Sequence, residues 1–265
     1  LNLNGNSQIH DISLILDLVM RCHKSLLKND LCEFNVCGTG NVLSFEHQGI
    51  QCGVSYSTEH PGTITLWRST MQRLKSINPQ VAEGRTKELF DTVQGAFGMI
   101  PNTVRVMANS PAVLESFLAF NTAMGKAQIG GKLHNQLKMT TSETNACSYC
   151  TSILSAVAHS AGLTADDILA GRTGDSDDRR TKAALTFAND VLASRGKVSN
   201  QQLSAVRAAG YDDADIVEMV TSVVLGCFTN FLNNVADTEL DIPKAAPLEQ
   251  AVAASACSSG ACSVH

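Results

Sequence analysis

The chain has 265 residues, 20 Lys and Arg against 25 Asp and Glu, and 44% hydrophobic residues, enough apolar material for one or two domains with a real core. A net charge of −5 without a Lys/Arg cluster, 5% aromatic residues and Trp67 as the single tryptophan argue against a nucleic-acid surface. No run approaches the roughly 18 apolar residues of a membrane span. Residues 12–20 come nearest, but Asp17 interrupts them and no basic flank marks a signal peptide, so a cytoplasmic protein without membrane partners is expected.

In chain order, the opening segment lacks a sustained pattern. Apolar islands at 12–20, 42–45 and 54–56 are joined by Asn- and Gly-rich stretches, so residues 1–70 are expected to be an extension of poor structure. Met71 reads as a plausible natural start, which makes translated upstream sequence one origin for that extension. Helical periodicity then takes over. Leu89, Phe90, Val93, Ala96 and Phe97 form one stripe, punctuated by Gly98 and Pro101. Ser110 and Pro111 read as N-cap and first helical residue of a helix carrying Val113, Leu114, Phe117, Leu118 and Phe120. Gly130-Gly131 breaks the chain before 132–144, and a helix over 151–161 ends at Gly162. Thr164 with Asp167 reads as a capping start, residues 171–178 as a polar loop, and Gly196 as the close of a helix over 181–194. Ser199 caps a helix to 209, and Asp212 to Asp215 open the last long one, 216–235. The fold expected is all-α: a helical domain over 71–244, then a flexible Ala/Ser/Cys tail over 245–265.

Nine cysteines fall in three groups: Cys22, Cys32, Cys37 and Cys52; Cys147, Cys150 and Cys227; Cys257 and Cys262. An odd number without a signal peptide reads poorly as a secreted disulfide framework. Cys227 sits in an apolar run and reads as a small buried hydrophobe. Cys147 and Cys150, three apart, share one face of a helix's first turn, where free N–H groups and the helix dipole favour a thiolate. Simple packing and a metal half-site are the alternatives, but no second C-x-x-C or H-x₃₋₅-H completes a zinc site. Redox chemistry is the leading reading: a thiolate attacks a peroxide, and the neighbouring thiol captures the sulfenic acid as a disulfide. For proton transfer, His159 falls half a turn from Cys150, and Leu154, one turn on, cannot serve. Glu143 is the nearest carboxylate in sequence, and His134 is a second candidate relay.

The string Glu143-Thr-Asn-Ala-Cys-Ser-Tyr-Cys150 followed by Ala158-His-Ser-Ala-Gly-Leu163 resembles the carboxymuconolactone decarboxylase and alkylhydroperoxidase D family, nearest its peroxidase-related branch. The likeness extends to Lys87-Glu-Leu-Phe-Asp91, Met99-Ile-Pro-Asn102, Ala108-Asn-Ser-Pro-Ala-Val-Leu114, Arg207-Ala-Ala-Gly-Tyr-Asp212 and Ala236-Asp-Thr-Glu-Leu-Asp241, covering about 71–243. The resemblance implies an all-helical fold assembling as trimers or hexamers. It also implies thiol-dependent reduction of small hydroperoxides without a metal or prosthetic group. By carry-over Cys150 is the peroxidatic thiol and Cys147 the resolving one, regenerated by an external dithiol such as a lipoylated or thioredoxin-like protein. Two departures stand out: the family's relay histidine falls on Leu154 and its catalytic glutamate on Asn135. The histidine sometimes found between the cysteines is Tyr149.

Three functions are therefore weighed. The first is a thiol peroxidase; the second is a non-enzymatic, redox-responsive oligomeric scaffold, which Leu154 and Asn135 favour. The third, a carboxymuconolactone decarboxylase-type lyase, fits poorly because that branch lacks the cysteine pair. In the tail, Cys257, Cys262 and His265 are expected to be incidental rather than a thiol supply or soft-metal site.

Overall fold

A computed structural model of the chain describes residues 42–47, 50–56, 64–70 and 72–258, with side chains at 72–158 and 161–255. The chain divides into two units, Leu1–Met71 and Gln72–His265. In the first, β1 (Val42–His47), β2 (Ile50–Tyr56) and β3 (Ile64–Thr70) form an antiparallel meander in which Val42 pairs with Ser55 and Ile50 with Thr70. The rest of 1–70, expected as an extension of poor structure, lies outside the described residues. Residues 12–20, Met71, Cys262 and His265, and the side chains of His159 and Cys257, lie outside the described residues.

The second unit is all-α. Its helices are α1 (Gly84–Phe97), α2 (Asn102–Met107), α3 (Pro111–Met124), α4 (Gly130–Thr144), α5 (Ser148–Ser160), α6 (Ala165–Thr173), α7 (Arg179–Ser194), α8 (Asn200–Ala208), α9 (Asp213–Ala236) and α10 (Leu248–Ser258). Local chemistry accounts for most boundaries. Thr164 with Asp167, Ser199 with Gln202 and Asp212 with Asp215 each form a complete capping box, satisfying N–H groups that a helix start leaves unpaired. Ser110 occupies the N-cap position of α3 with Pro111 behind it, but its side chain makes no capping bond. On α1, Leu89, Phe90 and Val93 are buried as the stripe predicts, whereas Phe97 is exposed.

Helix α4 is the hub, packing against α9, α6, α5 and α7, and residues on all its sides are buried, from Leu133 and His134 to Thr141 and Ser142. Its crossing with α9 is close: a Cβ on Gly226 would stand 2.9 Å from Thr141 Cγ2, so only glycine fits without displacement. The main core gathers Leu137, Leu185, Phe187, Met219 and Val223, with Cys227 half-buried at its edge. By length and composition α9 could cross a membrane. Its Ser222, Asn230 and Asn233 are nevertheless buried and bonded to α4 and the cysteines, which marks it as the central helix of this bundle.

Within 245–265, expected as a flexible tail, residues 248–258 form a helix, α10, packed on α6. Alanine is the best helix former, and Leu248 supplies a half-buried anchor at its start.

Candidate redox site

The site begins with the turn between α4 and α5. Cys147 N–H bonds Ser142 O at 2.9 Å and Ala146 N–H bonds Glu143 O at 3.0 Å, closing α4 in a Schellman-type turn. Ala146 takes the left-handed position, φ 50°, which costs a non-glycine residue about 1–2 kcal/mol. That turn delivers Cys147 to the N-terminus of α5, where its Sγ accepts the Cys150 N–H at 3.3 Å in the manner of a cap. The two sulfurs lie 2.6 Å apart as free thiols, 1% and 3% exposed.

Stabilisation of a thiolate falls on Cys150, and its source differs from the sequence expectation. The helix N–H goes to Cys147. Cys150 instead receives the Cys147 S–H, then the Asn233 amide at 3.2 Å, with Asn230 and Thr229 nearby lowering it further. Thr238 Oγ1 donates to Asn233 Oδ1 at 2.8 Å, which turns the amide's N–H toward sulfur. Led by the Cys147 hydrogen bond and against the effect of burial, these donors lower the Cys150 thiol to about 7. Cys147 moves the opposite way, raised because its proton is held by Cys150 and because it is buried. The pair is thus asymmetric, the thiolate favoured on Cys150 and the proton on Cys147.

Two cavities reach this pair from different sides. Cys150 lines a cavity of about 140 Å³ walled by Val93, Phe97, Phe117, Leu118, Ile153 and Leu154, with Thr103, Lys138 and Tyr149 among its polar lining. Cys147 lines a more polar cleft of about 190 Å³ formed with Glu143, Ser148, Arg172, Lys244 and Leu248. The wall of that cleft is tied down: Arg172 donates to Ala246 O at 2.8 Å, and Ala245 N–H donates to Ser152 Oγ at 3.0 Å. Tyr149 is fixed in the apolar cavity by donating to Asp241 at 2.9 Å and accepting the Thr103 N–H at 3.2 Å. Asp241 also caps α2 through Asn102 N–H at 2.7 Å.

The sequence-predicted residues therefore part company. Cys147 and Cys150 are together. Glu143 stands on the Cys147 side, its carboxylate 2.6 Å from Arg172 Nε. His134 is buried against Ser222 Oγ at 2.8 Å and lines neither cavity. Burial and the nearby Lys138 lower it to about 4, so it is neutral and engaged elsewhere, which corrects the expectation of a relay there. Asn135 lines neither cavity, and Leu154 is wall. Sequence reasoning missed Asn230 and Asn233, although two amides three apart in an otherwise apolar helix are a legible signal. It also missed Lys138, Thr103 and Arg172, which no local pattern distinguishes.

No protein-family model matches the sequence, and no curated protein matches it. Solved structures do. A peroxidase-related protein from Silicibacter sp. TM1040 is similar at 20% identity and a TM-score of 0.54, over 64% of this chain and 94% of its own. One from Ralstonia eutropha JMP134, described as an alkylhydroperoxidase AhpD core, is similar at 20% identity and TM-score 0.57, over 64% and 92%. The debrominase Bmp8 is similar at 18% identity and TM-score 0.57, over 70% and 98%, and a cysteine-to-alanine variant of it has been solved with 2,3,4-tribromopyrrole. At these identities the likeness is one of fold.

Proposed function

We propose, for a chain that has the alkylhydroperoxidase D-like fold, that it is a thiol peroxidase reducing small hydroperoxides through Cys150 and Cys147. The observation that carries the reading is the asymmetry of the pair: Cys150, lowered to about 7, lines an apolar cavity, and Cys147 holds the proton. The Cys150 thiolate attacks the terminal oxygen of ROOH, the O–O bond breaks, and sulfenic acid and ROH result once a proton is supplied. Cys147 then displaces water from the sulfenic sulfur, forming the disulfide.

Regeneration needs an external dithiol, for which a lipoylated or thioredoxin-like protein is proposed. Attack on Cys147 expels the Cys150 thiolate, the better leaving group, and the polar cleft supplies the approach. No metal or organic cofactor takes part in these steps. A reducing cytoplasm suits a pair that rests as thiols. Self-association into a trimer or hexamer is proposed from α9, where Val217, Val224, Phe228, Phe231 and Val235 recur at heptad-like spacing on one exposed face, Phe231 being 57% exposed.

A second reading follows from the same apolar cavity and the debrominase fold: the thiolate takes a halogen from a small ring, a proton replaces it on carbon, and Cys147 displaces halide from sulfur. One experiment separates these. With excess dihydrolipoamide, the protein is given cumene hydroperoxide or tribromopyrrole, and peroxide loss and bromide release are followed. Many peroxide turnovers, abolished in Cys150→Ser, support the peroxidase; bromide release alone supports the dehalogenase. One oxidation per pair and no turnover leaves a redox-responsive scaffold.

A further inference from the structure

We propose that Lys138 is the proton donor of the Cys150 cavity, delivering a proton to the alkoxide released when the O–O bond breaks, and that Thr103 anchors the hydroperoxide beside it. The inference rests on the peroxidase reading and supplies what Leu154 and Asn135 leave missing. The other polar groups of the cavity are engaged elsewhere. Tyr149 is committed to Asp241 and Thr103 N–H, and burial raises its phenol further from use as an acid. Asn233 is bonded to Cys150 and Thr238, and Thr229 donates to Gly226 O at 2.9 Å. Amides and hydroxyls of this kind orient oxygen but do not readily release a proton.

Besides the amide of Asn121, which accepts from Lys138, two lining groups have bonding capacity to spare. Lys138, on α4, carries three N–H donors and makes one long bond, 3.4 Å to Asn121 Oδ1. Thr103 Oγ1, on α2, is buried without any hydrogen-bond partner, in a residue only 9% exposed. An unsatisfied hydroxyl in such a wall costs free energy unless a ligand completes it. The charge environment suits the role. Around Lys138, α5 contributes Cys150, whose thiolate favours the ammonium, and Tyr149 as a neutral phenol; α4 contributes His134, held neutral. From α1, α2, α3 and α9 the other lining residues are uncharged. Burial brings the ammonium down to about 8, so at neutral pH it is protonated and yet far more acidic than the alcohol it forms.

The step balances. Cys150–S⁻ attacks the terminal oxygen of HO–OR and is oxidised by two electrons to Cys150–S–OH. The O–O pair leaves as RO⁻, and RO⁻ takes a proton from Lys138–NH₃⁺, leaving ROH and Lys138–NH₂. Water then reprotonates the amine.

The test is stopped-flow oxidation of Cys150 in the full chain as wild type, Lys138→Met and Lys138→Arg. The oxidants are cumene hydroperoxide and perbenzoic acid, whose carboxylate leaves without needing a proton, and iodoacetamide alkylation serves as control. Lys138→Met should slow cumene hydroperoxide about 10²-fold while perbenzoic acid and iodoacetamide change only a few-fold. Lys138→Arg, which keeps the charge but holds its proton, should restore alkylation without restoring the hydroperoxide rate. Thr103→Val should raise KM for cumene hydroperoxide and spare alkylation. Equal losses with all three reagents, or none with cumene hydroperoxide, would overturn the proton-donor role. A wild type that alkylates but reacts with neither oxidant would overturn the peroxidase reading itself, and this role with it.

Discussion

Replacing Asn233 by Ala removes the amide that donates to Cys150 Sγ at 3.2 Å from a buried position. A hydrogen bond to a charged acceptor is worth about 1.5–3 kcal/mol, and 1.36 kcal/mol corresponds to one pH unit, so the Cys150 thiol should move from about 7 to about 8–9. At pH 7 the thiolate fraction then falls from about a half to between about a tenth and a hundredth. The more basic thiolate is also a better nucleophile, by about 3- to 8-fold for a Brønsted slope near 0.45. The two effects oppose each other at pH 7, leaving a net loss of about 2- to 6-fold; above pH 9 only the gain remains. The pH–rate profiles of wild type and Asn233→Ala should therefore cross. The assay is iodoacetamide alkylation of Cys150, followed by peptide mass spectrometry between pH 5 and 10. Parallel profiles with an unchanged midpoint would refute the claim that α9 amides hold the thiolate.

Other consequences are separately measurable. His134 is lowered to about 4, so between about 6.5 and 4 the unfolded chain binds a proton the folded one does not. Stability is full above that window and drains as pH falls; urea unfolding should show about 2 kcal/mol less stability at pH 5 than at pH 7, a difference that His134→Leu abolishes. Gly226→Ala places a methyl 2.9 Å from Thr141 Cγ2 and should destabilise by about 1–3 kcal/mol in the same assay. Phe231→Glu puts a charge in the exposed α9 stripe; sedimentation should show the wild type associated and the variant's subunit dissociation constant raised about 30-fold or more.

What was legible follows from how local the signals are. Thr164, Ser199 and Asp212 announce their helices because a cap acts within four residues of itself. Cys147 and Cys150 announce their chemistry because three-residue spacing on a helix fixes their proximity. The sheet is legible only by parity: Ile50, Cys52, Val54 and Tyr56 alternate in β2, a pattern that apolar islands alone do not show. Helix α10 carries few large apolar residues, which reads as a tail, yet the strong helix propensity of alanine sustains it. His134 and Lys138 are four apart on α4, yet one is turned to Ser222 and the other lines the Cys150 cavity. That difference is set by α5 and α9 packing around α4, contacts made by residues distant in sequence.

The most direct test of the account is where oxygen lands. Cys147→Ser keeps a hydroxyl beside Cys150 but cannot resolve a sulfenic acid, so one equivalent of cumene hydroperoxide in the presence of dimedone should label Cys150 alone. The wild type should instead yield the Cys147–Cys150 disulfide with no adduct. An adduct on Cys227, equal labelling of several cysteines, or a Cys150→Ser variant that consumes peroxide as fast as the wild type would contradict it.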